Sequence, residues 1–297
     1  MDLKAPMTIE EQIARLKEHG MTITNECDAV ELLSEINYYR FTGYGLQFRV
    51  NPQKSDYIQG ISFEDVYQIY RFDEDLRDVL RKYIEKAEIY YRTLISYHFS
   101  IAKCVNPPYD QHYDENNFYN KKGYNEVMES FRKERNYYKD SLIVKHHKVK
   151  YNSRMPLWVI VELMSFSNTS KLYCAMYDSE KNLIAGKAGT GASTLENHLH
   201  CLSVLRNKCA HAARLYNTDF YPPAKFTKQF LRKNCNVKIN SLFAYVLVLL
   251  RRLPDVHMKK AMVSDVSGII KCYQSYIDLS LIGFPDNFEN LLYTNCN

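Results

Sequence analysis

Apolar side chains recur every three or four residues through most of the chain, and that spacing predicts helices. Ile9, Ile13 and Leu16 follow Thr8, which pairs with Glu11 as a capping box, and Gly20 closes the segment. Asp28 opens a second short helix carrying Val30, Leu32, Leu33 and Ile36. The aromatic run 37–48, with Gly43 and Gly45, reads as a loop or a broken element, and 51–60 as a turn-rich linker. Ser62, with Asp65 three residues on, caps the longest segment. Residues 63–99 contain no Gly or Pro and hold a helical period from Phe63 to Ile95, as one helix or as two with a bend near Phe72-Asp73. Pro107-Pro108 ends it. Residues 107–154 are polar, aromatic and basic, with one short helix expected over 124–136. Pro156 suits the first turn of a helix over 157–177, and Gly186, Gly189 and Gly191 mark a loop. Ser193, backed by Glu196, caps a helix reaching about Ala213. Beyond Pro222-Pro223, two further helices are expected over 225–252 and 256–280. The fold class expected is all-α with a bundle core: an N-terminal helical extension over 1–60, the bundle over 61–220 with a basic insertion around 107–154, and a C-terminal helical extension over 221–297.

Composition narrows this further. Ten glycines and nine prolines in 297 residues are too few for a sandwich or barrel, which needs a turn every ~8–12 residues. Neither GxGxxG nor GxxxxGK[ST] occurs, so no Gly-rich phosphate loop is present. The longest apolar stretch, Leu242–Leu250, is far short of the ~18–20 residues of a spanning helix, so no membrane partner is expected. The eight cysteines form no CxxC pair, and Met1-Asp2-Leu3-Lys4 begins without an apolar leader core; a reducing cytoplasm is the expected setting. The net charge of +5 permits nucleic-acid binding without demanding it. The 25 tyrosines suit either core and interface packing or base stacking. Residues 132–154 interleave cations with aromatics, as a solvated loop or a phosphate-contacting surface would.

One stretch stands apart: Leu205-Arg206-Asn207-Lys208-Cys209-Ala210-His211-Ala212-Ala213-Arg214. On a helix, Asn207 and His211 are i,i+4 neighbours, and Arg214 continues that face. Arg206 is turned partly away, with a side chain long enough to reach back. Cleavage of RNA through its own 2′-OH needs a base, an acid and a cation or amide for the extra charge on phosphorus. Histidine titrates near neutrality, Arg binds phosphate oxygens in a fork, and Asn orients either one. No metal or other cofactor is needed. By spacing alone the same residues also describe an ordinary solvated helix face.

Arg206-Asn207-Lys208-Cys209-Ala210-His211 resembles the R-N-x-x-x-H motif of HEPN-domain ribonucleases, and RNKCAHAARLYN is similar to a block of the Abi family of abortive-infection proteins. Further blocks carry the resemblance in order. They are the INYYRFTGY stretch around Asn37 to Tyr44; the Phe63–Arg92 helix with Tyr67, Tyr70, Phe72, Asp73, Leu76, Arg77, Ile84, Glu85, Glu88 and Arg92; and Pro156-Leu157-Trp158 with Glu162, Ser165-Phe166 and Leu172-Tyr173. Counted with the first helix, over residues 8–220, the resemblance spans about three-quarters of the chain. The resemblance implies a HEPN-like helical bundle acting as a metal-independent endoribonuclease in phage defence. It also implies a homodimer, because two motif copies usually form one composite site. Arg206, Asn207 and His211 would be catalytic. Lys208 and Arg214 would contact phosphate, Glu85, Glu88 and Arg92 would support the motif, and Tyr39 with Arg40 offers a stacking face and a cation.

Competing readings attach to several of these. Glu88 and Arg92 suit an i,i+4 ion pair, which leaves His98 outside any site. Asn37-Tyr38-Tyr39-Arg40 with Tyr44 suits packing as well as stacking. His198-Leu199-His200-Cys201, with the distant pair His146-His147, lacks the paired spacing of a zinc site. For the whole protein, the rival to a nuclease is a non-catalytic protein holding a structured or non-coding RNA. A third reading is an interaction protein that senses a phage-derived trigger through its C-terminal helices.

Overall fold

The computed structural model describes residues 5–51 and 53–296; Met1-Asp2-Leu3-Lys4, whose lack of an apolar leader core was noted above, lie outside the described residues. Fourteen α-helices are described: α1 (Ile9–Glu18), α2 (Glu26–Glu35), α3 (Tyr38–Tyr44), α4 (Phe63–Lys103), α5 (Lys121–Tyr137), α6 (Leu142–Tyr151), α7 (Leu157–Leu163), α8 (Phe166–Ala175), α9 (Asp178–Lys187), α10 (Ala192–Ala210), α11 (Lys228–Lys233), α12 (Leu242–Arg252), α13 (Val256–Tyr273) and α14 (Phe288–Thr294). Among the described residues there is no strand, only two isolated β-bridges. The all-α class therefore holds. No described helix is long and apolar enough to cross a membrane.

The chain forms two compact units: Met1–Arg77 with Val266–Leu279, and Asp78–Asp265 with Ser280–Asn297. These divisions do not fall near 60 and 220, where the sequence suggested boundaries. Part of the reason is α12, which is buried from Leu242 to Leu250 and packs on α10. A helix apolar on all sides has to lie in a core.

In the first unit, the Thr8 capping box forms as expected, with Glu11 reaching back to the Thr8 amide at 2.8 Å. Asn25, not Asp28, caps α2. The aromatic run at 37–48 is the broken element of the two readings, and not the loop. Asn37 accepts the Tyr39 amide at 2.8 Å and so starts α3, and a 3₁₀ turn follows. Phe41 stacks on Phe63 with ring centroids 4.3 Å apart. The Tyr44 hydroxyl donates to buried Asp73 at 2.7 Å, and Asp73 also pairs with buried Arg77 one turn along α4. Burial and the Asp73 carboxylate raise the Tyr44 hydroxyl's pKa, so it remains a donor. Three residues of the resemblance blocks are thus a buried polar network. α4 runs without a break through Phe72-Asp73.

In the second unit, α10 packs against α8, α9 and α12, and α8 packs against α5. The basic stretch folds as two helices, α5 and α6, where one was expected, because Ser141 caps α6 by accepting the Val144 amide at 3.4 Å. The helix expected over 157–177 is divided into α7 and α8. Met164 is extended, and Ser165 caps α8 through the Asn168 amide at 3.2 Å. The helix expected over 225–252 divides into α11 and α12, capped by Thr227 and Ser241; α13 takes up most of 256–280, and α14 follows where none was expected.

Candidate active site

The site is built on three elements of the second unit: the end of α10, the middle of α4 and the junction of α7 with α8. α10 begins at Ala192, with Gly191 at the cap position in place of the expected Ser193. It ends at Ala210, three residues before the expected stop. His211 is the C-cap, its amide bonded to the Asn207 carbonyl at 3.0 Å. Ala212 then turns into the left-handed region at φ 50°, and the Ala213 amide bonds back to the Lys208 carbonyl at 2.8 Å. This is how a helix reverses its path. The reversal removes Arg214 from the α10 face, where unbroken helical spacing had put it. His211 is exposed at the helix end, and its imidazole has no partner among the described residues.

Arg206 lies on the side of α10 that faces α4. Its Nε is 3.4 Å from a carboxylate oxygen of Glu88, while the other Glu88 oxygen accepts from Arg92 at 2.5 Å. Arg92 also donates to the Met164 carbonyl at 2.7 Å. That acceptor is available because α7 stops at Leu163. The Glu88 side chain is 10% exposed, that of Arg92 15% and that of Arg206 38%. One buried carboxylate therefore holds two cations, and the three groups together carry one positive charge. Only Nε of Arg206 has a partner among the described residues, which leaves its terminal nitrogen fork open. A groove of about 180 Å³ beside it is lined by Glu85, Glu88, Arg206, Cys209 and Ala210, with Arg81 and Ile84.

Asn207 faces a different helix, donating to the Ser167 hydroxyl of α8 at 3.3 Å. Lys208 lies over the Phe220 ring, its ammonium 5.0 Å from the centroid. The structure thus brings together Arg206, Glu88 and Arg92, with Glu85 on the groove wall. Tyr39 and Arg40 lie on α3 of the first unit, with Tyr39 86% exposed.

Sequence reasoning missed Ser167, the Met164 carbonyl and the α7–α8 break that supplies both. The detectable signal was Ser165, a good cap residue directly after the largely apolar stretch 157–164. Of the histidine pair at 198 and 200, His198 is buried and its Nε2 is 2.8 Å from the Lys225 carbonyl. Burial, with the charges of Arg252 and Arg251, holds its pKa down to about 3. His200 points the other way, into a separate groove. Among the described residues no cluster of metal-ligating side chains occurs.

These features define a protein, helical throughout its regular elements among the described residues, whose late helix ends in an exposed histidine five residues beyond an arginine anchored to a buried carboxylate. The chain belongs to the Abi-like protein family, whose model matches residues 31–217, more than half of the sequence. No curated protein and no solved structure gives a significant match.

Proposed function

We propose that this protein is a metal-independent endoribonuclease of the HEPN type, acting in abortive infection. Membership of the Abi-like family supports the defence role. The observation that carries the chemistry is the open guanidinium fork of Arg206, held at Nε by Glu88, with the exposed His211 five residues further along, its imidazole without a partner among the described residues. A fork fixed at its base and open at its tip suits two oxygens of one phosphate. In the reaction the ribose 2′-oxygen attacks phosphorus and loses its proton. The bond from phosphorus to the 5′-oxygen breaks, and that oxygen takes up a proton. His211 supplies one of these two proton transfers, and Arg206 with Asn207 neutralises and orients the phosphate. The products are a 2′,3′-cyclic phosphate and a 5′-hydroxyl. The exposure of His211 favours a homodimer in which a second copy closes the site. A phage-derived trigger and a bound non-coding RNA are the regulatory partners this reading allows.

The test is cleavage of a mixed pool of labelled RNAs in EDTA by wild type and by His211→Ala, with the product ends mapped. Cleavage by wild type only, leaving cyclic-phosphate ends, is the expected result. Equal cleavage by both proteins, or by neither, overturns the nuclease assignment. Salt-sensitive RNA binding without cleavage would instead support the non-catalytic RNA-holding reading.

A further inference from the structure

A second, larger groove runs along the seam where α10 packs on α8. Its volume is about 600 Å³, within the range of small-ligand sites. The residues that α10 contributes are a single stripe at helical spacing: Ser193, Glu196 with Asn197, His200, Ser203 with Val204, and Asn207. From Ser193 to Asn207 this covers about 21 Å of helix. The α8 wall repeats the spacing with Ser167, Ser170, Lys171 and Cys174. The groove therefore starts at the Asn207–Ser167 hydrogen bond, at the motif itself, and leads away from it.

The walls mix apolar with polar surface, Val204 and Pro222 lying among hydroxyls and amides, and most of their charges are taken up. Glu196 is taken up by Lys181 at 3.5 Å, and the Lys225 ammonium by the Ser193 hydroxyl at 2.5 Å. Burial, with the Glu196 charge next, pushes the Cys174 thiol up to about 12, so it stays protonated and uncharged at neutral pH. Lys171 and His200 are exposed on opposite walls, and neither side chain has a partner among the described residues. Hydroxyls, amides and an imidazole, with one open cation, match the mixed donors and acceptors of bases and ribose better than a row of phosphates. Base edges and ribose hydroxyls present such groups when a strand is unpaired.

We infer that the α8–α10 groove binds the single-stranded RNA segment adjoining the scissile linkage, with His200 and Lys171 as contact residues. This rests on the ribonuclease reading for the identity of the ligand. A duplex cannot splay its bases into the seam, so the groove selects unpaired RNA.

The test measures binding and cleavage separately. Binding of a fluorescent single-stranded RNA of about 12 nucleotides is followed by anisotropy in a His211→Ala background, which prevents turnover. Lys171→Glu and His200→Glu are each introduced, with Lys86→Glu on the exposed face of α4 as a charge control. Each groove variant is expected to weaken binding on the order of tenfold, and the control to leave it near the parent. The same RNA annealed to its complement is expected to bind more weakly and to be insensitive to the groove variants. Circular dichroism confirms that each variant is folded. Unchanged affinity in both groove variants, or no RNA binding by the parent, overturns the inference. A loss of affinity in a protein that never cleaves RNA leaves the groove as an RNA site and sinks the nuclease reading alone.

Discussion

Glu88 fixes where the Arg206 guanidinium sits. It is buried between two arginines, and among the described residues no other carboxylate pairs with either of them. Removing its charge leaves two cations facing each other across a largely dehydrated gap, which costs more than losing an exposed pair. Because Arg206 is partly solvated, the expected loss for Glu88→Gln is about 2 kcal/mol. Chemical denaturation should show it, and cleavage should fall further than the residual folded fraction explains. Unchanged stability would mean that the carboxylate does not hold the cluster. Two buried histidines give the protein a second measurable trait. Burial lowers His112 to about 4, and its Nε2 lies 2.9 Å from the Met155 carbonyl; His198 is lowered to about 3. For both, the folded pKa lies below the unfolded value near 6.5. The stability they contribute is therefore complete above ~6.5 and is lost as pH falls toward the folded pKa. Each should cost roughly 2 kcal/mol by about pH 5. Denaturation midpoints at neutral and acid pH check this, and His112→Gln should flatten the slope.

Helix ends shape the site more than helix middles do. The Glu88–Arg92 pair was legible from its i,i+4 spacing, and the Arg206–His211 stretch from its composition. The break at Met164 is hidden by the continuous helical period that Leu157–Leu163 and Phe166–Ala175 share, and Ser165 is the one local signal that marks it. What divides them is the competition of the Ser165 hydroxyl for the Asn168 amide. Ser165→Ala should cost about 1 kcal/mol and disturb both the Arg92 acceptor and the Ser167 partner of Asn207. Thermal melts and RNA cleavage together read that outcome. If both are unchanged, the cap does not fix this junction. The stop at Ala210 was equally hidden, since Ala212 and Ala213 are good helix formers and only the left-handed turn reveals the reversal.

The all-α class and the family were legible across most of the chain, while the two compact units were not. A cluster such as Tyr44, Asp73 and Arg77 looks functional in one dimension and proves to be a buried network in three. Neighbours that come from distant segments leave no local spacing to read. The exposure of His211 bears on assembly. If a second copy completes the site, specific activity should fall on dilution, in step with dissociation followed by analytical ultracentrifugation. Activity strictly proportional to concentration throughout would leave the single chain sufficient.

The helix end at His211 also sets where the gene can change length. One extra codon between Asn207 and His211 would swing the imidazole about 100° around the α10 axis and take it off the face it shares with Asn207. A codon added at exposed Asn217, in the turn beyond buried Leu215 and Tyr216, alters no helical register. Among functional descendants of this sequence, insertions should accumulate on the far side of the histidine and be absent from the near side.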